Sequence, residues 1–93
     1  MKYEIQRTSQ FKRDYKLAVK RGCNTELLKQ VITLLADGKE LPPENRDHSL
    51  LGNYSDYREC LIQPDWLLIY KITDSLMLLT LERTGTHSDL FSK

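Results

Sequence analysis

Apolar and polar positions alternate from Tyr3 to Arg7, with Tyr3 and Ile5 on one side, which predicts a short first strand. The period then lengthens. Phe11, Tyr15, Ala18 and Gly22 recur at helical spacing, Thr8 or Ser9 stands where an N-cap can accept from free amide groups, and Arg21-Gly22 supplies a stop. A second helix has Asn24 or Thr25 as cap and Glu26 at its positive end. Its wide apolar face is Leu27, Leu28, Val31, Ile32, Leu34 and Leu35, and Asp37-Gly38 ends it. Joined around Gly22 to Asn24, the two helices form an antiparallel hairpin whose apolar surface needs a sheet to cover.

Lys39 to Arg46 contains Leu41-Pro42-Pro43 and continues neither a helix nor a central strand, so it reads as a crossing loop that delivers His48. Beyond it the pattern predicts strands over Tyr57–Ile62, Trp66–Ile72 and Leu76–Thr84, the middle one buried on both faces. Gln63-Pro64-Asp65 and Thr73-Asp74-Ser75 are the turns of an antiparallel meander. Gly85 breaks the last strand, and Thr86-His87-Ser88-Asp89 has the form of a capping box that starts one short helical turn. The order β-α-α-β-β-β predicts an α+β domain, with a mainly antiparallel four-stranded sheet covered on one face by the helix hairpin.

Length and composition narrow the function without naming it. Ninety-three residues, 40% hydrophobic, make a single domain over 1–93. A chain this size buries roughly 60–65% of its unfolded surface, enough for one modest core. The longest clear apolar run, Trp66 to Tyr70, is far below the roughly 18–20 residues of a membrane span, and Met1-Lys2-Tyr3-Glu4 does not begin a signal peptide. Cys23 and Cys60 have no metal-like spacing, so a reduced, cytoplasmic chain is expected. Net charge is +1, giving no global attraction for nucleic acid, but Lys12, Lys16 and Lys20 recur every fourth residue beside Arg13 and Arg21. Such a row is a solvated helix face or a track for a phosphate backbone.

Candidate chemistry gathers between Arg46 and Phe91, which holds both histidines and the only tryptophan. Imidazoles, carboxylates and a guanidinium move protons around a phosphate and steady its extra charge. His87, just past a strand end, is by itself as readily an exposed loop residue, but Arg83 lies four residues before it and Phe91 four after. Phosphate clamp, proton donor and stacking ring would suit a nucleotide, although Phe91 serves equally as a plug for the core. Arg83 follows Leu79 and Leu81 on one strand face, and Glu59 or Asp65 is its expected partner. His48 alone is more often a hydrogen-bonding histidine than a catalyst, and Pro64-Asp65-Trp66 also reads as turn chemistry with a core or rim tryptophan. No HExxH, cysteine pair or dense acidic cluster suggests a metal, and no Gly-x-Ser-x-Gly elbow suggests a serine hydrolase.

Asp47-His48, Leu50, Gly52, Tyr57-Arg58, Pro64-Asp65-Trp66 with Leu68-Ile69-Tyr70-Lys71, Glu82-Arg83-Thr84-Gly85-Thr86-His87 and Leu90-Phe91 closely resemble the YafQ branch of the RelE toxin superfamily. Pro-Asp-Trp together with Arg-Thr-Gly-Thr-His is the specific part, and the match spans nearly the whole chain. The resemblance implies the toxin of a type II toxin–antitoxin pair: an endoribonuclease cutting messenger RNA in the ribosomal A site, with no metal or other cofactor. The 2′-hydroxyl attacks phosphorus and expels the 5′-oxygen. By the same resemblance His87 is the general acid, and His48 and Asp65 remove the 2′-proton or orient the attacking group. Arg83 stabilises the phosphorane, while Trp66 and Phe91 hold nucleobases or shape the pocket.

Some relatives carry a further histidine where this chain has Leu61, which cannot move a proton; Glu59, on the same strand face, is the natural substitute. The lysine row Lys12, Lys16 and Lys20 is expected to dock on ribosomal RNA. The implied partners are the 70S ribosome with its message and a dimeric DinJ- or RelB-like antitoxin, in a heterotetramer that contacts operator DNA through the antitoxin. The competing expectations are a non-catalytic antitoxin-binding co-repressor and an RNase that needs no ribosome.

Overall fold

The computed structural model describes residues 1–91. Five strands form one sheet in the order β1-β5-β4-β3-β2: β1 Glu4–Arg7, β2 His48–Ser49, β3 Arg58–Gln63, β4 Trp66–Thr73 and β5 Leu78–Gly85. β1 runs parallel to β5, its connection to the sheet passing through the helices, and the other pairings are antiparallel. The expected sheet gains a fifth strand. His48 and Ser49, too short to show a period, pair with Glu59 and Arg58 at the edge.

Helices α1 (Ser9–Lys20) and α2 (Thr25–Ala36) cover one face. Thr8 caps α1 by accepting from the Phe11 amide at 2.9 Å, a bond of a kind worth about 1 kcal/mol. Asn24 caps α2 through the Glu26 amide. Both helices end on a left-handed glycine. At Gly22 (φ +78°) the amides of Gly22 and Cys23 return to the carbonyls of Val19 and Ala18. The inner stripe of α1 is Phe11, Asp14 and Ala18; Tyr15, expected on that stripe, is 39% exposed. A buried aspartate has replaced the aromatic ring on the inner face.

The core joins Phe11, Ala18, Leu28, Val31 and Leu35 of the hairpin to Cys60, Leu68, Tyr70, Leu79 and Leu81 of the sheet. β4 is buried from Trp66 through Tyr70, on both faces as its unbroken apolar run implied. Cys23 and Cys60 are free thiols, and burial pushes that of Cys60 up to about 12. Among the described residues no helix is long and apolar enough to cross a membrane.

Candidate active site

The short helix α3 (His87–Phe91) follows β5 directly and carries His87 on its first position. Thr86 and Asp89 form the expected capping box: the Thr86 amide donates to Asp89 Oδ2 at 3.0 Å and the Asp89 amide to Thr86 Oγ1 at 3.0 Å. Arg21, at the end of α1, closes on the same carboxylate with Nη1–Oδ2 2.6 Å. These donors hold the Asp89 carboxyl well below the usual carboxylate range.

Asp65 lies across from His87 in the β3–β4 turn, with left-handed backbone (φ 61°) that aspartate tolerates better than most residues. Its Oδ1 accepts from the His87 amide at 3.1 Å and lies 2.9 Å from His87 Nδ1. The ring hydrogen bond first, and the backbone one second, lower the Asp65 pKa. With Nδ1 bound to a carboxylate, Nε2 is the nitrogen left to exchange a proton. The family resemblance implies Asp65 as a helper of proton removal or as an orienting group, and the structure pairs it with His87, the residue expected as the acid.

The second histidine joins a different acid. His48 Nε2 stands 3.3 Å from Oε1 of the buried Glu59, and its Nδ1 is 2.8 Å from the Arg46 carbonyl. Both ring nitrogens therefore face oxygen acceptors. Asp47 next to it anchors the crossing loop, accepting from Tyr70 Oη at 2.6 Å and from Arg58.

Strand register brings Arg83 into line with this pair. His48 is opposite Glu59, Glu59 opposite Ile69, and Ile69 opposite Arg83, so one row crosses four strands on one sheet face. A bulge sets that row. Tyr70 pairs with Leu81 and Ile69 with Arg83, leaving Glu82 as the extra residue. Leu81 and Arg83 consequently fall on opposite faces, whereas simple alternation placed them together.

The expected partner of Arg83 is also corrected. Neither Glu59 nor Asp65 binds it: Nε and Nη2 each donate to Asp14 of α1 at 3.0 Å, which raises the Arg83 pKa. β1 pairs only as far as Leu81, so the edge of β5 beyond it is open to α1. Asp14 was legible as the lone acid on a buried helical stripe, and such a group requires a cation or amide partner.

Trp66 is 5% exposed and donates its indole N–H to Thr84 Oγ1 at 2.9 Å. It has no free ring face for a nucleobase and serves as wall. Phe91 on α3 is 43% exposed and is not a core plug. A cavity of about 500 Å³ between α1, the Asp65 turn and the start of α3 is lined by Asp65, Trp66, Arg83 and Thr86 among others. His87 is outside its wall; the Asp65 carboxylate that holds His87 is part of it. Lys12, Lys16 and Lys20 are exposed along α1, and the first two line a separate groove between α1 and α2. Among the described residues no group of three or more histidine, cysteine or acidic side chains converges as a metal site would require.

A five-stranded sheet under a helix hairpin, with a carboxylate-held imidazole at one strand end, makes this a small α+β domain with a candidate acid–base site. The chain belongs to the YafQ family: the model described as the bacterial toxin of type II toxin-antitoxin system, YafQ, matches residues 3–92. The mRNA interferase toxin YafQ of Escherichia coli strain K12 is 45% identical over 89 residues, covering 95% of each chain. A chain in the crystal structure of the E. coli DinJ-YafQ complex superimposes with a TM-score of 0.88 at 44% identity, over 96% of this chain and 98% of that one. A metal-bound toxin from Helicobacter pylori gives a TM-score of 0.91 at 40% identity, over 96% and 99%.

Proposed function

We propose that this toxin is an endoribonuclease that cuts messenger RNA within the ribosomal A site by proton transfer without a metal. The observation that carries the reading is the His87–Asp65 pair at 2.9 Å, which fixes the ring and leaves Nε2 to face a substrate. The 45% identity to a toxin named as an mRNA interferase supports it. In the reaction the 2′-oxygen bonds to phosphorus as its proton passes to the general base. The bond from phosphorus to the 5′-oxygen then breaks, and that oxygen takes a proton from His87 Nε2, leaving a cyclic phosphate. Glu59 with His48 is the base, and Arg83 neutralises the extra charge on the phosphorane. Glu59 and Arg83 stand two strands apart, roughly 10 Å between backbones, with the buried Ile69 between them.

The charge supports ribosome dependence. At net +1 the chain attracts free RNA weakly, so the ribosome supplies the alignment, with Lys12, Lys16 and Lys20 of α1 on ribosomal RNA. The DinJ-YafQ complex supports a DinJ-like antitoxin as partner for this chain. A dimeric antitoxin would carry two toxins in a heterotetramer and bring the DNA contacts for repression of the shared operon.

The test is brief induction of the wild type and of His87→Ala, followed by mapping messenger 5′ ends. In-frame cuts should appear with the wild type and fall by about 10²–10⁴-fold in the variant, the worth of one proton-transfer group. Purified toxin should retain its rate when a chelator selective for transition metals is added. Equal growth and intact messages with both proteins would instead favour the non-catalytic co-repressor, and cleavage of naked RNA at the ribosomal rate would remove the ribosome from the reading.

A further inference from the structure

The cavity beside Arg83 is walled by three arginines, Arg13, Arg21 and Arg83, which suggests an anion pocket until the acids are counted. Asp14, Asp65 and Asp89 line it too, and Arg21 and Arg83 are each bound to one of them. The cavity has no surplus charge, so the ion pairs act by fixing geometry. Asp14 is the most engaged of these groups. Its Oδ2 accepts from Arg83 Nε at 3.0 Å and from the Thr84 amide at 3.2 Å, and its Oδ1 accepts from Arg83 Nη2 and Gln10 Nε2, both at 3.0 Å. The amide bond ties Asp14 to the backbone just after the bulge that turns Arg83 onto its face.

A guanidinium gripped through Nε and Nη2 turns Nη1 away from the carboxylate, with both protons unspent. We propose that Asp14 is a positioning residue for RNA cleavage, holding Arg83 side-on so that Nη1 meets the phosphate. This rests on the reading of the toxin as a ribonuclease. Asp14 itself is 9% exposed, with both carboxylate oxygens already engaged, so its influence on the reaction runs through Arg83, the one cation it holds.

The experiment is single-turnover cleavage of message on programmed ribosomes by the purified toxin, with rate measured against toxin concentration. Asp14→Asn keeps the shape and removes the charge. It should lower the saturated rate by about 10–100-fold, the penalty of a misplaced group, with the half-saturating concentration nearly unchanged. In an Arg83→Ala background the same change should add less than about twofold, because the two residues act as one unit. A wild-type rate for Asp14→Asn, or an equal further loss in the Arg83→Ala background, overturns the proposal. Should Asp14→Asn melt too low to assay, Asp14→Glu keeps the charge and shifts the carboxylate by one methylene. A fall in rate with an unchanged melting temperature then supports positioning, and a wild-type rate overturns it. Absence of cleavage by the wild type is a separate result, which overturns the ribonuclease reading and with it the role of Asp14.

Discussion

Asp65 shapes a turn and holds a histidine at once. Its left-handed backbone makes the β3–β4 turn, and its side chain receives both the amide and the ring of His87. Asparagine also tolerates that backbone and keeps an oxygen acceptor, so Asp65→Asn isolates the charge from the turn. The amide can flip to offer N–H to Nδ1, which selects the wrong tautomer, and it no longer supports the imidazolium. We expect cleavage on programmed ribosomes to fall about tenfold or more, less than the ~10²–10⁴ of a whole proton-transfer group, with circular dichroism unchanged. A wild-type rate would detach Asp65 from the chemistry. Residue types at this end of the molecule were legible: aspartate after proline signals a turn, and histidine beside arginine and threonine signals a site. Which acid meets which base was not legible. Such pairing depends on where α1 lies against the open edge of β5, and Asp14 is far from Arg83 along the chain.

Elements with a period of their own were predicted close to their observed bounds. α1 and α2 need only their caps, glycine stops and apolar faces. β2 and the β5 bulge needed partners: a two-residue strand exists only because Arg58 and Glu59 are opposite it, and the bulge is a relation between β4 and β5. α3 is an intermediate case. Five residues cannot sustain a helix alone, but its capping box was visible, and the structure adds Arg21 as a clamp. The clamp has a pH signature. Its Asp89 carboxyl is held below its unfolded value by Arg21 first and the Thr86 amide second. The stabilisation is therefore complete above the unfolded pKa near 4 and is lost as pH falls toward the folded value. Thermal melts of wild type and Asp89→Asn should differ at pH 6–7 and converge as pH falls below about 4. A gap that stays constant to pH 2.5 would show that the carboxylate charge is not what holds α3.

At the scale of the whole molecule, near-neutral net charge hides a strong local asymmetry. The groove between α1 and α2 is lined by Arg7, Lys12, Lys16 and Lys29 with no acid in its wall, whereas the cavity near the site balances its arginines with aspartates. On the proposed reading proton transfer belongs to strand ends and the edge opposite β1, while the free positive charge lies on the helix layer. A substrate can thus be held by one side while its linkage is cut at another, which suits a message already bound by a large RNA. The lysines project from the exposed face of α1, and among the described residues none of Lys12, Lys16 and Lys20 forms an ion pair. Converting all three to glutamate should therefore leave the melting temperature nearly unchanged and abolish co-sedimentation with ribosomes. Single lysine-to-alanine changes should weaken it less, each lowering the slope of log affinity against log salt by about 1 unit. Cleavage by the triple variant at the wild-type rate would mean that the ribosome grips the toxin elsewhere, and the asymmetry would then belong to the antitoxin's side of the molecule.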